Sequence, residues 1–124
     1  MDAGAFRASV KELGGPDNPE QLTKTIETVL ENLGKRLQGG EPHDLAAQLP
    51  EEFKPAVTAQ ADAQPINDDV DEFLRRVADQ LGTNPEQVRP HVSAVLGTVA
   101  RAISQGELND LRQQLPAGFG PLFD

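Results

Sequence analysis

The chain of 124 residues has no cysteine and a formal charge of −9, from twenty acidic and eleven basic residues. Without cysteine it forms neither disulfides nor thiolate metal sites, and such a negative charge repels nucleic-acid phosphates. Its length suits one domain with its own core, and no apolar segment approaches the roughly 18 residues of a membrane span. The sequence therefore predicts a single cytoplasmic domain, residues 1–124, that binds neither nucleic acid nor membrane.

Two segments of the chain repeat one another. Residues 18–57 and 84–123 align without a gap at an offset of 66 positions, and 15 of the 40 aligned pairs are identical. A repeat of this length predicts one supersecondary unit that occurs twice. The predicted boundaries are 5–57 for repeat one, 58–66 for a polar linker and 67–123 for repeat two.

A short helix is predicted to open each repeat, at about 5–13 and 69–81. In the second of these helices, Phe73 and Val77 lie four residues apart on one face. The polar, mostly acidic residues 67–72 precede it. They supply an N-cap and complement the positive end of the helix dipole, so a solvated helix N-terminus explains this run.

The second helix of each repeat has the strongest periodic pattern. Asn18 and Asn84 are suited to cap it, and a proline follows at the first helical position. Apolar residues then recur along one face for about four turns. These two stripes are Leu22, Ile26, Val29, Leu30, Leu33 and Leu37, and Val88, Val92, Val95, Leu96, Val99 and Ile103. Pro90 lies within the second helix and lacks a backbone donor, so we expect a kink or a separate first turn at 87–90.

A third, shorter helix is predicted at 42–49 and 108–115, and a proline ends each one. Gly40 and Gly106 precede these helices and suit the left-handed conformation that ends the long helices. The apolar residues that close the chain are expected in the core rather than in a docking tail. They are Phe119, Leu122 and Phe123.

One repeat alone would have a thin core, whereas two repeats packed face to face can share their apolar stripes. The predicted fold is therefore all-α. It consists of two related three-helix repeats that pack as one six-helix bundle with pseudo-two-fold symmetry.

Three segments carry a resemblance to a known family: FLRRVADQLG from Phe73, AVLGTVARAIS from Ala94 and GELNDLRQQLPAGF from Gly106. They resemble the bacterial family called domain of unknown function 2267. Its members look like two three-helix repeats, each ending in a Gly-Glu-x-x-Asp-Leu-x-x-Gln-Leu-Pro box. Here the box occurs at 40–50 and 106–116. The resemblance covers nearly the whole chain and implies a small helical bacterial protein, but no reaction.

Residues capable of chemistry do not form a catalytic or metal-binding pattern. His43 and His91 have no histidine at the corresponding place in the other repeat, and they lack the spacing of a zinc motif. The acidic run 67–72 lacks the glycine and glutamate positions of an EF-hand. All three serines lie in helical contexts rather than in a strained turn. We therefore predict no catalytic residue, no metal, no cofactor and no enzymatic activity.

The repeated box contains the candidate functional residues. Its glycine and proline mark helix ends, and its acidic residues favour a helix N-terminus, so a structural role explains most of the pattern. Its aspartate and glutamine are four residues apart and can meet on one helix face. The functional alternative is a recognition surface made of Glu41, Asp44, Gln48, Glu107, Asp110 and Gln114.

The leading hypothesis is a non-enzymatic protein-interaction module that presents short-helix ends and acidic edges to a protein partner. Because repeated helical units offer matching faces, self-association is an alternative to a different partner. The second hypothesis is a carrier for a small apolar ligand held between the two stripes, since a core poor in aromatic residues can leave a cavity. A third, weaker hypothesis is DNA binding through Arg75, Arg76, Arg89 and Arg101.

Overall fold

The computed structural model describes residues 1–61 and 66–124, so four of the nine residues of the predicted linker lie outside the described residues. The described residues form seven α-helices, two 3₁₀ helices and no β-strand, which confirms the all-α class. The α-helices are α1 (Ala3–Glu12), α2 (Pro19–Arg36), α3 (Glu41–Ala47), α4 (Lys54–Thr58), α5 (Val70–Leu81), α6 (Pro85–Ala102) and α7 (Gln105–Gln114), and the 3₁₀ helices are Glu51–Phe53 and Ala117–Phe123. Helix α4 was not predicted from the sequence.

Side chains cap the helices where the sequence predicts it. Asn18, Asn84 and Asp69 each accept a hydrogen bond from the backbone N–H three residues later. Each bond satisfies a donor that has no partner inside the helix. Helix α6 nevertheless continues through Pro90, so the prediction of a separate first turn is wrong. The carbonyl that loses its donor there belongs to Glu86, an exposed first-turn residue that water can reach.

The prediction that Gly40 and Gly106 are left-handed residues at the ends of the long helices is wrong. In repeat one the left-handed glycine lies one position earlier, and in repeat two the long helix does not end at a glycine. Gly40 has a φ of −82° and is the N-cap of α3, whereas Gly39 has the positive φ of 61°. Helix α2 ends at Arg36, and the backbone of its C-cap, Leu37, is extended. Gly106 lies inside α7, because that helix begins after the N-cap Ser104, earlier than predicted.

The first helix of each repeat packs against the long helix of the other repeat. Helix α1 lies along α6, and α5 lies along both α2 and α6. Two hydrogen bonds accompany these contacts, one buried and one partly buried. The hydroxyls of Ser9 and Thr98 are 2.8 Å apart, and Asn32 Nδ2 donates to Gln80 Oε1 at 2.8 Å. The repeats therefore interlock around a shared core.

The apolar stripes form the centre of that core. All of their side chains are buried except that of Ile103, which is half-buried. Phe73 packs edge-on against Phe119 with ring centroids 5.1 Å apart. Leu122 and Phe123 are also buried, so the prediction that the last apolar residues belong to the core is confirmed.

A buried ion cluster anchors the start of repeat two. Asp68 Oδ2 lies 2.6 Å from Arg76, and Asp68 Oδ1 lies 3.2 Å from Arg36. Arg36 also donates to the backbone carbonyl of Ile66 at 2.7 Å. The side chain of Asp68 is only 1% exposed, so the predicted solvated run is wrong at this residue. The two arginines neutralise the carboxylate that the fold buries.

Helices α2 and α4 approach so closely that residue 34 must be glycine. A Cβ atom on Gly34 would overlap the backbone oxygen of Val57, which cannot move as a flexible side chain would. The space that a side chain would occupy is therefore filled by the neighbouring backbone.

We expect Gly34→Ala to lower the free energy of unfolding by about 1–3 kcal/mol through this overlap. Urea unfolding followed by circular dichroism measures the change. Gly106→Ala is the matched control, because its Cβ would meet nothing within 4 Å and alanine favours the helix. Equal stability of Gly34→Ala and the wild-type chain would contradict the packing described here.

We expect Asp68→Asn to lower the free energy of unfolding by about 3–5 kcal/mol, because a buried arginine would lose its counter-charge. The same urea titration measures it. Asp71→Asn is the control, since Asp71 is exposed in the first turn of α5, three residues after Asp68. A loss no greater than that of Asp71→Asn would show that the ion cluster does not stabilise the fold.

Candidate functional site

The two boxes place their glutamates at the starts of the short helices. Glu41 is the first residue of α3, and Glu107 lies in the first turn of α7. Ser104 caps α7, and its hydroxyl accepts from the backbone N–H of Glu107 at 3.1 Å. Helices α3 and α7 contact each other. The two boxes, which are far apart in sequence, therefore meet in the fold.

The box glutamines tie each repeat to the other. Gln48 Oε1 accepts a hydrogen bond from the backbone N–H of Ser104 at 2.7 Å, and Gln114 Oε1 accepts one from that of Gln38 at 2.8 Å. The two donors are 66 positions apart in the sequence, and the two acceptors are also 66 positions apart, which is the repeat offset. Each glutamine thus fixes the backbone just before the short helix of the other repeat.

The four box acids form one cluster, which we call the acidic junction: Glu41, Asp44, Glu107 and Asp110. Glu41 and Glu107 are buried, at 8% and 7% exposure, whereas the two aspartates are exposed. Carboxylate oxygens of Glu41, Glu107 and Asp110 lie within 4.8 Å of one another. Of the six residues predicted as a recognition surface, only the aspartates are therefore fully exposed.

No lysine or arginine of the described residues forms an ion pair with the acidic junction. None of the ion pairs between described residues includes any of its four carboxylates. Burial raises the pKa of Glu41 from 4.5 to about 8, with further contributions from a hydrogen bond to Glu107 and from the charges of Glu107, Asp110 and Asp44. That hydrogen bond requires a proton between the two carboxyl groups. The arrangement can therefore hold a proton or an added cation.

The other candidate residues from the sequence lie elsewhere. His43 is exposed, and His91 is half-buried beside a cavity of about 470 Å³. Val88 is the only residue of the apolar stripes that lines this cavity, so the cavity does not lie between the stripes. Among the arginines of the DNA hypothesis, Arg76 is paired with Asp68, and Arg101 donates to Ser9 Oγ at 3.2 Å.

We expect the raised pKa of Glu41 to make stability depend on pH. The folded chain holds a proton on Glu41 between pH 4.5 and about 8, whereas the unfolded chain has lost it. This contribution to the free energy of unfolding is complete below 4.5 and is lost as pH rises towards 8. Glu41→Gln has no such proton to lose. Its stability relative to the wild-type chain should therefore rise across this range.

Urea unfolding of both chains at low salt measures this difference. Glu27→Gln is the control, because Glu27 is exposed on α2 and outside the acidic junction. Its stability relative to the wild-type chain should stay nearly constant. A constant difference for Glu41→Gln as well would show that Glu41 keeps an ordinary pKa.

Comparison with known proteins identifies a family. Within the described residues, no helix has both the length and the apolar character to cross a membrane. No curated protein matches the sequence. A family model described as "Uncharacterized conserved protein (DUF2267)" matches residues 4–122, which include both boxes and both long helices. The chain therefore belongs to the DUF2267 family.

Proposed function

We propose that the chain is a non-enzymatic protein-interaction module and that its acidic junction binds a basic segment of a partner protein. One observation carries this proposal: four carboxylates lie together, and no lysine or arginine of the described residues pairs with them. Asp44 and Asp110 are exposed, so a partner's lysine or arginine can reach them from solvent. Pairing would relieve the repulsion among the ionised carboxylates.

The anchoring of the short helices also favours binding. The hydrogen bonds from Ser104 to Gln48 and from Gln38 to Gln114 hold the backbone on both sides of the acidic junction. A partner would therefore meet carboxylates that are already positioned, and less conformational entropy is lost on binding. Because the chain carries a net charge of −9, like charges oppose self-association through this region, and a basic partner is favoured.

We also propose that α1–α3 and α5–α7 form a six-helix bundle with an approximate two-fold axis through the acidic junction. The reciprocal glutamine bonds and the meeting of Glu41 with Glu107 support this arrangement, because both join positions related by the repeat offset. A partner would then meet two similar half-sites, one at Asp44 and one at Asp110.

Binding of a fluorescent oligolysine peptide, measured by anisotropy, tests the proposed function. We expect the double variant Asp44→Asn/Asp110→Asn to weaken binding on the order of tenfold, because it removes both exposed charges of the acidic junction. Glu27→Gln/Glu31→Gln is the control, since it changes the net charge equally at exposed positions of α2. An equal loss in both variants would mean that net charge alone attracts the peptide, and the proposed surface would be wrong.

A further inference from the structure

The acidic junction contains buried oxygens that accept no hydrogen bond from any described residue outside the junction. With both carboxyl groups ionised, Glu41 Oε1 and Glu107 Oε1 are inaccessible to solvent and accept no hydrogen bond from any described residue. Both side chains are more than nine-tenths buried. Such oxygens are costly unless a donor or a cation reaches them. Asp68 is different, because two arginines surround its carboxylate.

We propose that the acidic junction is a binding site for a hard divalent cation, best matched by Ca²⁺, with Glu41, Glu107 and Asp110 as its protein ligands. Their carboxylate oxygens lie within 4.8 Å of one another. Oxygens bound to one Ca²⁺ ion at about 2.3–2.6 Å can lie up to about 5 Å apart on its opposite sides. The three side chains can therefore surround one ion with little movement.

The ligand set determines the class of ion. Carboxylate oxygen is preferred by Ca²⁺, Mg²⁺ and Mn²⁺, whereas Zn²⁺ and Cu²⁺ favour imidazole or thiolate. Mg²⁺ requires oxygens at about 2.0–2.1 Å in a strict octahedron, whereas Ca²⁺ accepts flexible coordination, so side chains contributed by two different helices suit Ca²⁺ better. Because Asp110 is exposed, water can complete the coordination shell and the ion has a route of entry. Asp44 adds attraction as a nearby negative charge.

The ion site goes beyond the proposed function, because it requires no partner protein. A divalent ion and a partner's basic side chain are rival sources of the same positive charge. The ion would occupy the buried glutamate oxygens, and it would weaken the attraction between the aspartates and a basic peptide. Calcium binding is tested on the chain alone, so its failure leaves the peptide experiment unaffected, and the reverse also holds.

Calcium titration of the purified, chelator-treated chain tests the inference, by isothermal calorimetry and by thermal unfolding. With only three protein ligands, we expect a dissociation constant of about 10⁻⁴–10⁻³ M. Saturating Ca²⁺ should raise the melting temperature more than sodium chloride of equal ionic strength does. An equal rise in both salts, or no binding heat at millimolar Ca²⁺, would overturn the proposal.

Two variants locate the site. Glu107→Gln and Asp110→Asn should each weaken calcium binding by at least about tenfold, because each removes a charged ligand. Glu107→Gln also relieves repulsion with Glu41, so we expect it to fold, which circular dichroism checks. Glu27→Gln changes the net charge equally outside the acidic junction and should bind Ca²⁺ as the wild-type chain does. Unchanged binding by Glu107→Gln would place the ion elsewhere and refute this site.

Discussion

The fold depends on the way each repeat covers the long helix of the other. Helix α1 packs on α6, and α5 packs on both α2 and α6, so a helix of the other repeat covers part of each apolar stripe. Hydrogen bonds between Ser9 and Thr98 and between Asn32 and Gln80 add to these contacts. The interlock also brings α3 beside α7. The position of the acidic junction is therefore a consequence of how the core is shared.

The described residues include three buried acids, and these differ in the cations beside them. Asp68 is neutralised by Arg36 and Arg76, and its burial anchors the start of repeat two. Glu41 and Glu107 have no such cations, and burial and mutual repulsion raise the pKa of Glu41. The first arrangement serves stability. The contact between Glu41 and Glu107 opposes stability, and destabilised ionisable groups of this kind are characteristic of functional sites.

The sequence predicts what depends on local order and misses what depends on contact between repeats. The stripes and the caps at Asn18 and Asn84 follow from helical periodicity and capping chemistry, and the structure has them. Asp68 is paired with Arg36, which lies more than thirty residues away in the sequence. The backbone N–H of Ser104 donates to Gln48, which lies more than fifty residues away. One signal did exist for the glutamates. They occupy the same position in both boxes, and equivalent residues can meet where two repeats face each other.

The pairing of Glu41 with Glu107 has a consequence for how this sequence can change. A single-nucleotide substitution converts either glutamate codon into a lysine codon. It would replace the repulsive contact by an internal salt bridge between two buried, neighbouring side chains. One mutation at either position would therefore be enough to form this salt bridge. The chain instead has an acid at both positions, and each acid constrains the substitutions that its counterpart can accept.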